Sequence, residues 1–131
     1  MAKIDVKIDE KKNLTVFTAT APLSSQEICD ELDRYFSGRY TRLILWDLTR
    51  AKNPSWSDAD IKKAAQKVKQ YSHLRKGGKT AYVVSGNLDF GLSRMYQAYT
   101  DIENVEFETQ VFRDIKGAMK WLGITEGPRL R

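Results

Sequence analysis

The sequence is poor in the residues that build disulfides and metal centres, with one cysteine, Cys29, and one histidine, His73, among 131 residues. A lone cysteine excludes an internal disulfide and fits a reducing compartment. A cluster of Cys and His ligands is excluded by count. Proline and glycine are scarce, at 3 and 8 residues, which excludes collagen-like and low-complexity architectures. No apolar run approaches the ~18–20 residues that cross a bilayer. The opening residues, Met1-Ala2-Lys3-Ile4-Asp5, alternate charged and apolar side chains and lack the apolar stretch of a signal peptide. The expectation is a cytoplasmic chain, neither secreted nor membrane-bound.

What is present is globular composition, 41% hydrophobic and 30% charged. The length suits one hydrophobic core and is too short for two. Residues 1–124 read as one domain and residues 125–131 as a polar tail. The net charge is +5. Much of the excess lies between positions 61 and 79, where Lys62, Lys63, Lys67, Lys69, Arg75, Lys76 and Lys79 occur without an acidic residue. Such a run is either a solvated helix face or a nucleic-acid patch, and the first is the simpler reading.

Periodicity gives the elements. Ile4, Val6 and Ile8 alternate with Lys3, Asp5, Lys7 and Asp9, the pattern of a half-buried strand over residues 3–9. A polar turn leads to a second strand at 14–20, forming a hairpin. Residues 24–38 read as a helix: Ser24 and Glu27 make an S-x-x-E capping box, and Ile28, Leu32, Tyr35 and Phe36 form the apolar stripe. Residues 43–48 are almost wholly apolar, as in a strand covered on both faces. A second helix runs from Ser57 to about Leu74, with Asp58 and Asp60 at its positive end. A strand at 79–85, a helix at 88–101, a strand at 105–112 and a helix after Asp114 complete the chain. The order β-β-α-β-α-β-α-β-α predicts an α/β fold with a mixed, mostly parallel five-stranded sheet and four helices.

Three stretches carry a resemblance to the SpoIIAA-like family of small STAS/SEC14-type domains. Leu43-Ile44-Leu45-Trp46-Asp47-Leu48 resembles the family's apolar strand ending in Asp. Asn87-Leu88-Asp89-Phe90-Gly91-Leu92-Ser93-Arg94-Met95-Tyr96 resembles its FG-x-x-R-M-Y helix start. Residues 111–122, from Val111-Phe112-Arg113-Asp114 to Trp121-Leu122, resemble its closing helix. The resemblance implies a fold like that of anti-sigma factor antagonists and SEC14-type lipid-binding domains, in a family where many members have no established activity. In the antagonists a serine of an Asp-Ser-Ser-Gly motif takes a phosphate. This chain has Pro54-Ser55-Trp56-Ser57-Asp58 there instead, so Ser57 is only a candidate phosphoacceptor.

In open α/β sheets, partners meet the carboxyl ends of the parallel strands. The loops 20–24, 49–57 and 85–89 belong at that edge. They make Asp47, Arg50, Asn53, Ser55, Trp56, Ser57, Asn87 and Phe90 the candidate partner-binding residues. Trp56 is either an exposed anchor or a lid over the end of the following helix. Ser57 also reads as a helix cap, and Asp47 as an acceptor for loop amides. Gly78-Lys79-Thr80 imitates the end of a phosphate-binding loop. It lacks the earlier glycine, where His73 stands, and it opens a strand rather than a helix. Nothing near Cys29 or His73 in the sequence marks a nucleophile or base. The reading is a non-enzymatic binding or regulatory module with no cofactor, meeting a protein partner at the loop edge; a homodimer would use an exposed edge strand such as 105–112. The alternative is a carrier of a small apolar or lipid-like ligand, which calls for an apolar cavity of roughly 300–1,000 Å³.

Overall fold

The computed structural model describes residues 3–51, 56–102 and 104–124, and at 87–90 and 92 the backbone alone. The chain order is β1 (Ile4–Asp9), β2 (Leu14–Ala19), α1 (Ser25–Phe36), β3 (Leu43–Asp47), α2 (Asp58–Tyr71), a 3₁₀ turn (Ser72–Arg75), β4 (Lys79–Val83), α3 (Asn87–Ile102), β5 (Glu108–Phe112) and α4 (Ile115–Trp121). The sheet has five strands in the order β1-β2-β3-β4-β5. β1 pairs antiparallel with β2, and the other pairings are parallel. This is the α/β fold with four helices that the sequence predicts.

Strand order equals chain order, so each crossover steps in the same direction. Right-handed crossovers then place α1, α2 and α3 on one face. On that face Phe17, Ile44 and Trp46 of the sheet pack with Leu32 and Tyr35 of α1 and Val68 of α2. The opposite face packs Leu14, Leu43, Leu45, Ala81 and Val83 against Ala118, Met119 and Leu122 of the α4 region. β3 thus buries both sets of its alternating side chains, which is why its sequence is a continuous apolar run.

Local signals set the ends. Ser24 and Ser57 cap α1 and α2 with reciprocal capping boxes to Glu27 and Asp60. Asn13 takes a positive φ of 53° to close the hairpin, and its side chain accepts the Arg42 amide at 3.1 Å. The second helix ends at Tyr71, before the expected Leu74, and tightens into the 3₁₀ turn. That turn drives Arg75 into the interior, where it is 4% exposed. Its Nε donates to the Thr41 carbonyl at 3.1 Å, Nη1 to Thr80 Oγ1 at 2.7 Å, and Nη2 to the Arg42 and Lys79 carbonyls at 2.7 and 2.9 Å. The guanidinium also lies 4.6 Å from the Phe107 ring centre. Burial pushes its pKa down to about 10. Gly78 belongs to this knot, because a Cβ there would collide with the Arg42 carbonyl oxygen. The Gly-Lys-Thr resemblance has a packing origin.

β5 starts at Glu108, three residues later than its alternating pattern begins. Asn104 has a φ of 58°, and the chain from there to Phe107 approaches the sheet without joining the ladder. Phe107, Thr109 and Val111 are buried, as the alternation requires. No helix among the described residues is long and apolar enough to cross a membrane.

Candidate functional site

Direct bonds tie the carboxyl-edge loops together. The Trp56 indole Nε1 donates to the Leu23 carbonyl at 2.8 Å, joining the loop after β3 to the loop after β2. Ser85 Oγ donates to the Thr49 carbonyl at 3.0 Å, joining the loop after β4 to the loop after β3. The Leu48 amide donates to the Val83 carbonyl at 2.8 Å.

The candidate residues divide by what they touch. Asp47 Oδ1 accepts the Thr49 amide at 3.1 Å and the Thr49 hydroxyl at 2.7 Å, which folds the chain into an Asx-type turn after β3. Its carboxylate holds the loop. Ser57 Oγ accepts the Asp60 amide at 3.2 Å and donates to Asp60 Oδ2 at 3.0 Å. Asp60 Oδ1 takes a further bond from Ser25 Oγ at 2.8 Å, so the cap of α2 also fastens the start of α1. The Ser57 backbone amide, followed by the Ser25 and Ser57 hydroxyls, holds the Asp60 carboxyl below its ordinary pKa. Arg50 is exposed. Asn53 and Ser55 lie outside the described residues, as do the side chains of Asn87 and Phe90 and the tail 125–131.

Trp56 is half-buried and lines a pocket. The pocket is half-enclosed, has a volume of about 110 Å³, and lies between the sheet and helices α1, α2 and α3. Leu23, Leu48, Ala51 and Val84 bound it from the loop edge, and Leu32, Trp46, Ile61, Ala64 and Val68 from within. Trp46 stacks on Phe17 with ring centres 4.2 Å apart, which fixes one wall. Polar atoms are few: the Ser93 side chain, and the Tyr82 hydroxyl, which donates to the Tyr96 hydroxyl at 2.8 Å. Burial pushes the Tyr82 pKa up to about 12 and that of Tyr96 well above its ordinary value. Both phenols are therefore neutral at physiological pH, and the wall carries no charge.

The sequence placed Trp56 at this edge and offered Tyr96, with Phe90, Met95, Tyr99, Met119 and Trp121, as aromatic and Met content in support of a carrier, but it did not single out Trp46, Tyr82 or Ser93. Tyr82 and Tyr96 carried the one available signal, since a buried phenol needs a hydrogen-bond partner.

Other groups lie apart from the pocket's chemistry. Cys29 is 2% exposed, and burial raises its thiol pKa. His73 is exposed on the 3₁₀ turn. Among the described residues no three His, Cys, Asp or Glu side chains cluster closely enough to hold a metal. The basic run does not form one surface. Arg75 is interior, Lys79 reaches the Trp121 carbonyl at 3.1 Å, Lys67 pairs with Asp33 at 3.1 Å, and Lys62 pairs with Asp58 at 3.3 Å. Comparison with protein-family models and with curated proteins finds no match for the chain.

Proposed function

We propose that the chain is a non-enzymatic binding module that receives one apolar group of a protein partner at the carboxyl edge of its sheet. The observation that carries this reading is the size of the pocket. At about 110 Å³ it falls below the roughly 300 Å³ at which small-molecule sites begin. It is nearer the ~150 Å³ of an engineered apolar cavity that binds benzene. A space of this size suits a single aliphatic or aromatic side chain. Its apolar wall, neutral tyrosine pair and place beneath three tethered loops support a socket for an anchor residue. The loops would supply the polar rim. Kinship with the SpoIIAA-like family belongs to the same proposal and rests on the three sequence stretches and on the element order.

The test is a titration of the isotope-labelled protein with toluene, isobutanol and acetamide as side-chain surrogates, followed by amide chemical shifts. The apolar surrogates should shift the amides of Leu48, Ala51, Trp56 and Ser93 saturably, and acetamide should not. Equal response to all three, or none, overturns the reading. The apolar lining favours a second reading, a carrier of a small apolar ligand. Native mass spectrometry of protein purified gently from its own host distinguishes the two, because a carrier retains a discrete solvent-extractable mass and a partner-binding module does not.

A further inference from the structure

The exposed apolar residues lie away from the pocket. Val6 and Ile8 of β1 are 37% and 39% exposed, and five of the six β1 residues are exposed. β1 is an edge strand. Which of its backbone groups are free follows from the ladder. The Thr20 amide donates to the Lys3 carbonyl at 2.8 Å, and the register pairs Ile4 with Ala19. Hydrogen-bonded pairs alternate in an antiparallel ladder. Lys3, Asp5, Lys7 and Asp9 therefore bond β2, while Ile4, Val6 and Ile8 turn their N–H and C=O groups to the open edge. Their side chains share the helix face of the sheet with Phe17 and Ala19.

The sheet's other edge is protected. The Glu108 amide and the Phe112 carbonyl bond toward β4, which turns the Thr109 carbonyl outward. There it accepts the Gln97 side-chain amide of α3 at 2.5 Å. The edge that the sequence offered for dimerisation, 105–112, is thus the blunted one.

We propose that β1 is the dimerisation surface of this chain, pairing antiparallel with β1 of a second copy about a two-fold axis at Val6, to give one continuous ten-stranded sheet. Charge selects both the register and the partner. Backbone geometry sets outward-facing residues opposite one another for axes at Ile4, Asp5, Val6, Lys7 or Ile8, but axes at Ile4 and Ile8 overlap only three residues of each strand, which leaves Asp5, Val6 and Lys7 for charge to choose among. An axis at Asp5 puts Asp5 against Asp5 and Lys3 against Lys7. An axis at Lys7 puts Lys7 against Lys7 and Asp5 against Asp9. An axis at Val6 pairs Val6 with Val6 and Ile4 with Ile8 through the backbone, and sets Asp5 opposite Lys7 twice. Lys3 and Asp9 then meet as a further pair of opposite sign, although Lys3 already pairs with Glu27 at 3.1 Å and Asp9 already accepts the Lys12 amide at 3.2 Å. The central Asp5–Lys7 pairs carry the selection. Charges on an edge strand ordinarily guard against association. Here their alternation guards against the slipped registers and favours the centred one. The helix face of the seam gains Ile4, Val6 and Ile8 from each copy, a continuous apolar stripe covering the residues that are exposed in the single chain.

The experiment is sedimentation equilibrium of the full chain and four variants, with far-ultraviolet dichroism to establish that each folds. The wild type should dimerise. Asp5→Lys and Lys7→Asp should each weaken the dimer about tenfold or more, because both central pairs become like-charged, and the double variant should restore it. Val6→Pro should be a folded monomer, because the Val6 N–H faces the open edge and bonds nothing in β2. A wild type that stays monomeric to its solubility limit, a dimer that survives Val6→Pro, or a charge swap that fails to rescue overturns the proposal. The pocket takes no part in any of these outcomes.

Discussion

Replacing Ala64 with leucine fills the pocket from its own wall. Ala64 is 3% exposed on the inner face of α2 and borders the space directly. The change adds three carbons to a pocket of about 110 Å³. Each newly buried carbon is worth about 0.8 kcal/mol, so the three together recover about 2 kcal/mol. Immobilising the leucine side chain returns about 0.5–1 kcal/mol, and the small difference in helix propensity is negligible. The expected net gain is about 1 kcal/mol in urea-denaturation free energy, with a rise of a few degrees in Tm. The variant should also lose the toluene-induced shifts at Leu48, Ala51, Trp56 and Ser93. Gain of stability and loss of binding must appear together, because one volume accounts for both. If Ala64→Leu instead destabilises by more than about 1 kcal/mol, as overpacking would, and toluene still binds, the assignment of the pocket is wrong.

Arg75→Met should cost about 2 kcal/mol by urea denaturation. Two buried acceptors, the Thr41 carbonyl and Thr80 Oγ1, lose their donor at about 1–3 kcal/mol each, and removing a desolvated cation offsets part of that. Ser57→Ala should cost about 1 kcal/mol by losing the α2 cap, and Ser57→Asp should cost less, because aspartate also caps and the positive helix end offsets its repulsion with Asp58 and Asp60. Stability should fall as the pH rises above the ordinary tyrosine pKa of about 10. The folded state keeps Tyr82 and Tyr96 protonated where the unfolded chain has released those protons, so base favours unfolding. The gap between the urea midpoints at pH 8 and 11 should therefore narrow when both tyrosines are changed to phenylalanine, the remainder belonging to Tyr71, Tyr99, Lys67 and Arg75.

Elements that stabilise themselves locally could be read from the sequence. The capping boxes at Ser24–Glu27 and Ser57–Asp60 involve residues three apart, and both form. The apolar run in β3 also reads correctly, because burial on both faces leaves a mark on every residue. Arg75 could not be read. In sequence it is one cation among seven, and its burial depends on carbonyls of Thr41 and Arg42 more than thirty positions away. The pocket was illegible for a related reason. Leu32, Ile61, Ala64 and Val68 give the same helical stripe whether the space they face is filled or empty. Trp56 was legible only as two alternatives, an anchor or a lid, and its bond to the Leu23 carbonyl, 33 positions away, could not be read from either.

The sequential strand order has a consequence for how the chain is made. Every sheet pairing joins strands adjacent in the chain, so no strand has to be threaded between two others already in place. As the polypeptide leaves the ribosome, the β1–β2 hairpin can form first, and each later helix–strand unit can then be laid onto an edge that already exists. Such growth keeps loop-closure costs small and exposes only one growing edge at a time. α4 follows all five strands and closes the face behind β4 and β5, so the burial of Leu45, Ala81 and Val83 waits until α4 has emerged.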